Sequence, residues 1–472
     1  MLTPKMTYSE TRVAETRAWA RYTKLVRLVG FVAVICSPFS LWLLFLTDPT
    51  SYPFLSSMFW VPVVICGCVV LFRSPLRRDP FARLLFGAGI ACRLAAAGVF
   101  IWVGFFYYNA AVDGFHYWTV GCRRMMDFSA QGWAAFPPPY TSTNLIPSIC
   151  GIIMLVTGDA LPTLSVIFAF AALWGGYFFY RAFCVAFPQG NRGLYGLLVV
   201  LMPSILFWSS AIGKDALEQL FIGISAYGFA RMVRHLDFSA ILISVGGIAG
   251  TAVVRPHMGG MLAISMLVPF VFSKTKGGWI AVSIKILCLP LLVASTYMLV
   301  KQAQNFVGAE NGDIKGSIQV LEGRNINTRL GGSKFNQSES GTGRAIEGVF
   351  LPFRPFPWEV HSLMSALAAL EGLGLGFWVW RKRREFWALL RKWHEPYIGF
   401  ILVFALQFSI IFAAATSNFG ILVRQRIMLL PILLMLFCQK LPARAVLRSA
   451  SLQPGAWLRS RTAIPQLGRS TS

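Results

Sequence analysis

Residues 111–118 read AVDGFHYW and place an aspartate, a histidine and two aromatic side chains directly after a long apolar run. A carboxylate such as Asp113 can act as a general base toward a hydroxyl group, and His116 can assist it or bind sugar hydroxyls. Tyr117 and Trp118 can stack against a sugar ring, although aromatic residues also mark membrane surfaces. Asp113 can equally begin a helix after a turn. Chemistry at this segment would therefore need partners from elsewhere in the chain.

Cations stand in four further polar stretches, each next to an apolar run, and in three of these stretches a carboxylate or a histidine is close by. Positive charge is disfavoured at the outer ends of membrane helices, so this recurrence predicts one shared cleft that binds an anion. Arginine binds phosphate through two parallel hydrogen bonds, and lysine contributes a compact positive charge. Helix starts, turns and membrane-edge anchors are the ordinary alternatives. The predicted phosphate-binding residues are Lys214, Arg255, Arg354 and Arg424, and the predicted substrate-binding residues are Asp215, His257 and Glu359 together with Tyr117 and Trp118.

The composition places these residues in a membrane protein. The 472 residues are 56% hydrophobic and 13% charged, with a mean hydropathy of +0.61. Soluble proteins carry about 25% charged residues, so a polytopic helical membrane protein is predicted. The net charge of +24 comes from short basic clusters between apolar runs, which mark cytoplasmic loops, so we expect no nucleic-acid partner. The nine cysteines show no metal-ligand spacing.

Twelve apolar runs are each near the length needed to cross a bilayer. Placing every basic cluster in the cytoplasm lets these spans alternate with both termini inside. Segment 145–158 is too short for a span, so we expect it to dip into the outer face. The prediction is an all-α transmembrane bundle with an outer-face cleft, in a bacterial plasma membrane. The predicted spans are residues 25–47, 57–72, 84–108, 160–180, 193–210, 216–233, 239–255, 258–273, 278–300, 361–380, 397–416 and 426–440.

The regions between these spans give the expected organisation of the chain. Small residues in SVGGIAG and EGLGLG predict close helix packing. A mid-span Glu371 is expected to form a buried pair with Arg93 or Lys285. The predicted regions are a basic cytoplasmic N-terminus (1–24), a transmembrane core (25–300) with an outer loop (109–144), a long outer loop (301–360), C-terminal transmembrane helices (361–440) and a basic cytoplasmic tail (441–472).

The order of motifs resembles a known family. Asp113 lies in a long outer loop that also contains PPPY, and LLVVLMPSILFWSSAIGKDALEQ follows about a hundred residues later. This order is similar to the GT-C class of integral-membrane glycosyltransferases, particularly the branch of protein mannosyltransferases and lipid A aminoarabinose transferases. The resemblance covers roughly residues 84–235. It implies a polyprenyl-phosphate sugar donor and a catalytic acid in the first large outer loop, which makes Asp113 the catalytic candidate and gives Lys214 with Asp215 the second polar position.

Two departures from that family stand in the sequence. Two extra spans, 25–47 and 57–72, precede the span that would come first, and the acidic loop has no DxD pair. A divalent cation (Mg or Mn) is therefore an open question, and no other cofactor is expected.

The expected function is transfer of a sugar from a polyprenyl-phosphate carrier to an acceptor hydroxyl on the outer face, with Asp113 as general base and inversion at the anomeric carbon. The acceptor is not defined by the sequence. A polysaccharide polymerase or ligase acting on lipid-pyrophosphate-linked glycans would use the same cations and rely more on the long outer loop. A secondary transporter or lipid flippase is the alternative from another class, although such proteins favour repeated halves and midplane charges.

Overall fold

The secondary-structure elements of the described residues are all helices, and the predicted all-α class is confirmed. The computed structural model describes residues 8–45, 52–137, 144–235, 237–273, 347–360, 362–416 and 418–439, with scattered positions between 282 and 297. Short 3₁₀ turns lie at Gly132–Ala135, Leu351–Phe353 and Pro357–Glu359. The helices are α1 (Tyr8–Phe45), α2 (Tyr52–Arg73), α3 (Pro80–Phe106), α4 (Asp113–Gln131), α5 (Leu145–Thr157), α6 (Leu161–Ala186), α7 (Arg192–Leu201), α8 (Pro203–Trp208), α9 (Lys214–Arg234), α10 (Phe238–Val254), α11 (Pro256–Phe272), α12 (Leu363–Arg381), α13 (Arg383–Leu390), α14 (Pro396–Ala415), α15 (Phe419–Arg426) and α16 (Leu430–Cys438).

Several helices have the length and apolar character of membrane spans. Within the described residues these are α2 over Ser56–Arg73, α3, α6 and α14 over Pro396–Ala413. Helices α15 and α16 reach that length only together and are bent by 57° at their break. The shorter apolar helices are α5, α7, α10 and α11. The described residues thus have the helical character of a membrane protein and include four or five candidate spans by length and composition, and the count of twelve stays a prediction.

Some boundaries differ from those predicted. Helix α1 already begins at Tyr8, inside the segment assigned as the basic N-terminus. The run 193–210 is two helices, because Met202 before Pro203 is extended and a residue preceding proline avoids the helical region. The expected outer loop 109–144 contains the amphipathic helix α4. The predicted span 278–300, most of loop 301–360 and the tail 441–472 lie largely or wholly outside the described residues.

Helix α9 lies between α6 and α10 and is held there by close backbone contact. A Cβ atom added to Gly175 of α6 would lie 2.4 Å from the carbonyl oxygen of Gln219 in α9. A Cβ on Gly247 of α10 would lie 2.4 Å from the backbone nitrogen of Ser225. Only glycine fits at such distances, so the close packing expected from SVGGIAG is confirmed. Backbone contacts on two sides therefore hold the middle of α9 between its neighbours.

Buried arginines brace the segment that leads into α9. Arg93 of α3 is 1% exposed and reaches the C-terminal end of α8. Its Nη1 donates to the hydroxyls of Ser209 and Ser210 and, at 3.5 Å, to the carbonyl of Leu206. A cation at a helix C-terminus complements the partial negative charge there. Arg93 thus fixes the turn from which α9 starts.

A second buried arginine pairs with Glu371, which corrects the expected partners Arg93 and Lys285. Arg426 of α15 is fully buried and forms an ion pair with Glu371 of α12. The same carboxylate accepts hydrogen bonds from the backbone nitrogen (3.2 Å) and the hydroxyl (3.0 Å) of Ser204. The Nη1 of Arg93 is directed at the end of α8, and α15 packs against α12. The choice of partner therefore follows from helix packing.

Candidate functional site

Asp113 is the first residue of α4, directly after Val112 in extended conformation. A carboxylate in the first turn is favoured by the partial positive charge of the helix N-terminus. Phe115 and Tyr117 anchor this turn because both are buried in an apolar cluster with α5 and α6. The Asp113 side chain itself is 57% exposed. The helix-start interpretation and a chemical role are therefore compatible.

Lys214 and Asp215 form the first turn of α9. The Asp215 side chain is 4% exposed, whereas Lys214 is half-buried. Arg255 ends α10 and precedes Pro256 of α11, so it sits at the break between two helices. This break and the start of α9 meet because α9 and α10 run antiparallel in close contact.

An ion-pair chain joins these residues to α15. Arg424 donates from Nη1 to Oδ2 of Asp113 and from Nε to Oδ2 of Asp215. The Nη2 of Arg255 lies 2.8 Å from Oδ1 of Asp215, and its Nη1 donates to Gln425 at 3.0 Å. We call Asp113, Lys214, Asp215, Arg255 and Arg424 the charge cluster. Residues up to 311 positions apart in the sequence thus meet at one point.

The electrostatics of the charge cluster favour an ionised Asp215. Burial by itself would raise the pKa of this carboxyl group, but Arg424 and Arg255 outweigh burial and lower the pKa below its ordinary value. Burial, reinforced by Arg255, lowers the pKa of the Lys214 ammonium, while Asp113 and Asp215 oppose that shift. Lys214 therefore loses its proton at a lower pH than an exposed lysine does.

His257 lies in the first turn of α11, beside the charge cluster. Burial lowers its pKa to about 4, and the positive charges of Arg255 and Lys214 act in the same direction. The imidazole is accordingly neutral at pH 7 and able both to donate and to accept a hydrogen bond.

The remaining predicted residues of α4 have different surroundings. Burial and the charge of Asp113 raise the pKa of Tyr117, which places its hydroxyl within electrostatic reach of the cluster. His116 is exposed and borders a shallow depression on the outside of α4. The indole of Trp118 donates to the carbonyl of Asp159 at 2.8 Å and so anchors α4 to the turn before α6.

Arg354 and Glu359 form a separate pair and do not line the cavity described below. Nε of Arg354 lies 3.1 Å from Oε1 of Glu359, and its guanidinium carbon is 5.5 Å from the centre of the Phe419 ring. Both residues belong to the segment of 3₁₀ turns that proline prevents from forming a regular helix. The sequence grouped them with the cluster because all stand next to apolar runs.

A cavity of about 380 Å³ opens beside the charge cluster. Its walls are mainly apolar and come from α3, α8 and α15, and its charged end carries Asp113, Asp215 and Arg424. The volume lies in the range of small-molecule sites. The apolar wall is formed chiefly by Phe100, Val103, Phe207, Trp208, Ile212 and Ile421.

Two residues near this end were not among the predicted site residues. Gln425 orients Arg255, but it is 170 residues away and carries no sequence signal. Glu218 lies one turn into α9, is fully buried, and neither carboxylate oxygen has a hydrogen-bond partner among the described residues. The sequence marked Glu218 only as a charge favoured by the helix dipole.

The carboxylates of the charge cluster face arginine side chains. Among the described residues there is no group of three His, Cys, Asp or Glu side chains able to hold a metal. Asp113 and Asp215 are both bound to Arg424.

Fold and site together define a helical membrane protein with an acid–base cluster at the end of an apolar-walled cavity. No family model matches the chain, and comparison with curated proteins and with solved structures also finds no match.

Proposed function

We propose that this protein is a membrane glycosyltransferase that moves a sugar from a polyprenyl-phosphate carrier to an acceptor hydroxyl on the outer face of a bacterial plasma membrane. The observation that carries the proposal is the apolar-walled cavity of about 380 Å³ that ends in Asp113, Asp215 and Arg424. Such a cavity suits an amphiphile whose apolar part rests on the wall and whose charged group meets the cluster. The twelve-span topology and the GT-C-like architecture belong to this proposal.

The charge balance supports an anionic donor. Lys214, Arg255 and Arg424 face two carboxylates, Asp113 and Asp215, which leaves one positive charge in excess. A phosphodiester carries one negative charge and would neutralise it. Arg424 uses Nε and Nη1 for its carboxylates, and Nη2 forms no hydrogen bond with the described residues. This Nη2 is the donor that we assign to the phosphate.

The two carboxylates have different roles in the proposed reaction. Asp215 is buried between two arginines and holds them in place, whereas Asp113 is exposed and can reach an acceptor. Asp113 removes the hydroxyl proton as the acceptor oxygen bonds to the anomeric carbon. The bond between that carbon and the phosphate oxygen breaks, and the polyprenyl phosphate leaves with its charge stabilised by Arg424, Arg255 and Lys214. The product has inverted configuration.

The test is complementation of cells that lack the protein. We expect those cells to accumulate a lipid-linked sugar on the outer face of the membrane, and the wild-type chain to relieve it. Asp113→Asn should fail, with transfer reduced by about 10²- to 10⁴-fold, while protein level and donor binding stay unchanged. Asp127→Asn is the matched control, since Asp127 is on the same helix and pairs only with Arg124 at 3.5 Å among the described residues.

Two outcomes would contradict the proposal. Full complementation by Asp113→Asn would remove the base. Accumulation confined to the cytoplasmic face would indicate a block in lipid flipping and favour the transporter alternative.

A further inference from the structure

The C-terminal end of α9 carries a second cavity, far from the charge cluster. Helix α9 has 21 residues, so its two ends are about 30 Å apart, close to the thickness of the hydrocarbon core of a bilayer. The second cavity has a volume of about 460 Å³ and lies where α6, α9 and α10 end or begin. We call it the basic cavity, and it is lined by Cys184, Val185, Pro188, Tyr227, Arg231, Arg234, His235 and Asp237.

Two guanidinium groups from different helices flank one ring of this cavity. The Cζ atom of Arg181 in α6 lies 5.9 Å from the centre of the Tyr227 ring, and that of Arg231 in α9 lies 5.8 Å from it. Arg181 also donates to the hydroxyl of Tyr177 at 3.3 Å. Cation–π contacts hold both groups in position without neutralising their charge.

The positive charge of the basic cavity is only partly balanced. Arg231 pairs with Asp237 at 2.9 Å. Within the described part of the chain, Arg181 and Arg234 form no ion pair with a carboxylate. Three arginines against one carboxylate leave two positive charges in excess, and this excess would stabilise a bound anion.

The usual preference for arginine at the cytoplasmic end of a membrane helix explains only some of the arginines around the basic cavity. The helix dipole favours Arg231 and Arg234 in the last turn of α9. It does not account for Arg181, which comes from another helix and lies against Tyr227 of the cavity wall, or for the cavity itself. Phe238, next to Asp237, is 74% exposed, as is typical of an aromatic residue at a membrane surface. The predicted topology, with this end of α9 in the cytoplasm, would place the basic cavity at the depth of lipid headgroups.

We propose that the basic cavity binds a phosphate-bearing anion, either the headgroup of an anionic phospholipid or free phosphate. Arginine is the side chain best suited to phosphate oxygens. Basic pockets at the cytoplasmic ends of membrane helices bind anionic headgroups, and the positive-inside bias assigns this end of α9 to the cytoplasm. The site is separate from the charge cluster and does not depend on the glycosyltransferase proposal.

The experiment measures binding of phosphatidylglycerol to the full chain in detergent by native mass spectrometry. Phosphatidylcholine and inorganic phosphate are titrated in parallel. The variant R181Q/R234Q removes one charge that lines the cavity and one that lies beside it against Tyr227, and it spares the Arg231–Asp237 pair. R384Q/R391Q is the matched control, because it removes two exposed arginines from another basic segment. We expect phosphatidylglycerol to bind about tenfold more weakly to the cavity variant and within about twofold of wild type to the control.

The two phosphate sources are separated by competition. Displacement of phosphatidylglycerol by inorganic phosphate would identify free phosphate as a sufficient ligand, and resistance to it would identify the lipid headgroup. Equal binding of phosphatidylglycerol and phosphatidylcholine, or equal weakening in both double variants, would overturn the proposal. Arg234→Glu provides a second route, since this side chain is exposed and its reversal leaves the packing intact. Unchanged binding in that variant would also contradict the site.

Discussion

The two ends of α9 differ in how far their charged side chains are buried and paired. At the N-terminal end, Asp215 is 4% exposed and holds two arginines. At the C-terminal end, Arg231 and Asp237 form a pair whose side chains are 30% and 41% exposed. Buried charges must be paired, whereas exposed charges can be left in excess because water solvates them. The helix thus joins a cluster of buried ion pairs with one positive charge in excess to a more exposed surface with two in excess.

This difference separates two kinds of ligand recognition. Paired and buried groups have fixed directions, which a reaction at one atom requires. Surplus charge at a surface attracts an anion without fixing each of its atoms. The proposed chemistry therefore belongs at the charge cluster, and the proposed lipid contact belongs at the basic cavity.

The largest expected effect comes from removing the shared carboxylate of the cluster. Asp215→Asn leaves Arg255 and Arg424 without their buried counter-charge, so the free energy of unfolding should fall by about 3–5 kcal/mol. Asp237→Asn at the other end removes an exposed partner and should have a much smaller effect. Thermal unfolding of both variants in the same detergent measures the difference. Equal changes in the unfolding temperature of the two variants would show that burial of charge does not distinguish the two ends of α9.

A smaller effect is expected from the pH dependence of His257. Its pKa in the folded protein is lowered to about 4 from an ordinary value of 6.5. Between these two pH values the unfolded chain binds more protons than the folded chain, so stability should fall as the pH drops from about 6.5 to 4. A pKa difference of one between the folded and the unfolded chain corresponds to about 1.4 kcal/mol in the free energy of unfolding.

His257→Gln should flatten this part of the curve of unfolding midpoint against pH. His235→Gln is the control, since His235 is exposed at the opposite end of α9. An unchanged slope in His257→Gln would mean that this imidazole binds protons equally in the folded and the unfolded chain, so that its pKa is not lowered by folding.

The smallest change in stability is expected from replacing Glu218, which lies only one turn from Asp215. Neither of its oxygens is hydrogen-bonded to the described residues, and an ionised carboxylate without a partner is costly to bury. Glu218 is therefore expected to be neutral, and Glu218→Gln should change stability by less than about 1 kcal/mol. A loss as large as that of Asp215→Asn would instead indicate an ionised Glu218 paired with Arg255.

Much of the charge cluster could be predicted from residue types at the ends of apolar runs. Asp113, Lys214, Asp215, Arg255 and Arg424 were all expected in one cleft, and they lie together. Arg354 with Glu359 had the same sequence context yet forms its own pair. Position relative to an apolar run gives depth along the bundle, but it does not give the side of the bundle on which a residue lies.

The break between α7 and α8 shows a similar limit. The run 193–210 looked continuous because all its residues are apolar or small, and the proline at 203 was compatible with a kink. Whether a proline bends a helix or ends it depends on whether neighbouring groups satisfy the backbone that it frees. Here Glu371 accepts the hydrogen bond from the first backbone nitrogen available after that proline, at Ser204.

The sequence by itself determined an all-helical membrane protein, the close packing of its glycine-rich helix, and the segregation of acids and bases at helix ends. These properties depend on hydrophobicity, helix period and backbone volume, all of which are local. Only the tertiary structure decided that Arg424 joins Asp113 to Asp215, that Arg426 takes Glu371, and that Arg181 turns toward Tyr227. Each of those contacts spans between 46 and 311 positions of the chain, and the energy of an ion pair depends on distance and burial, which the folded packing alone sets.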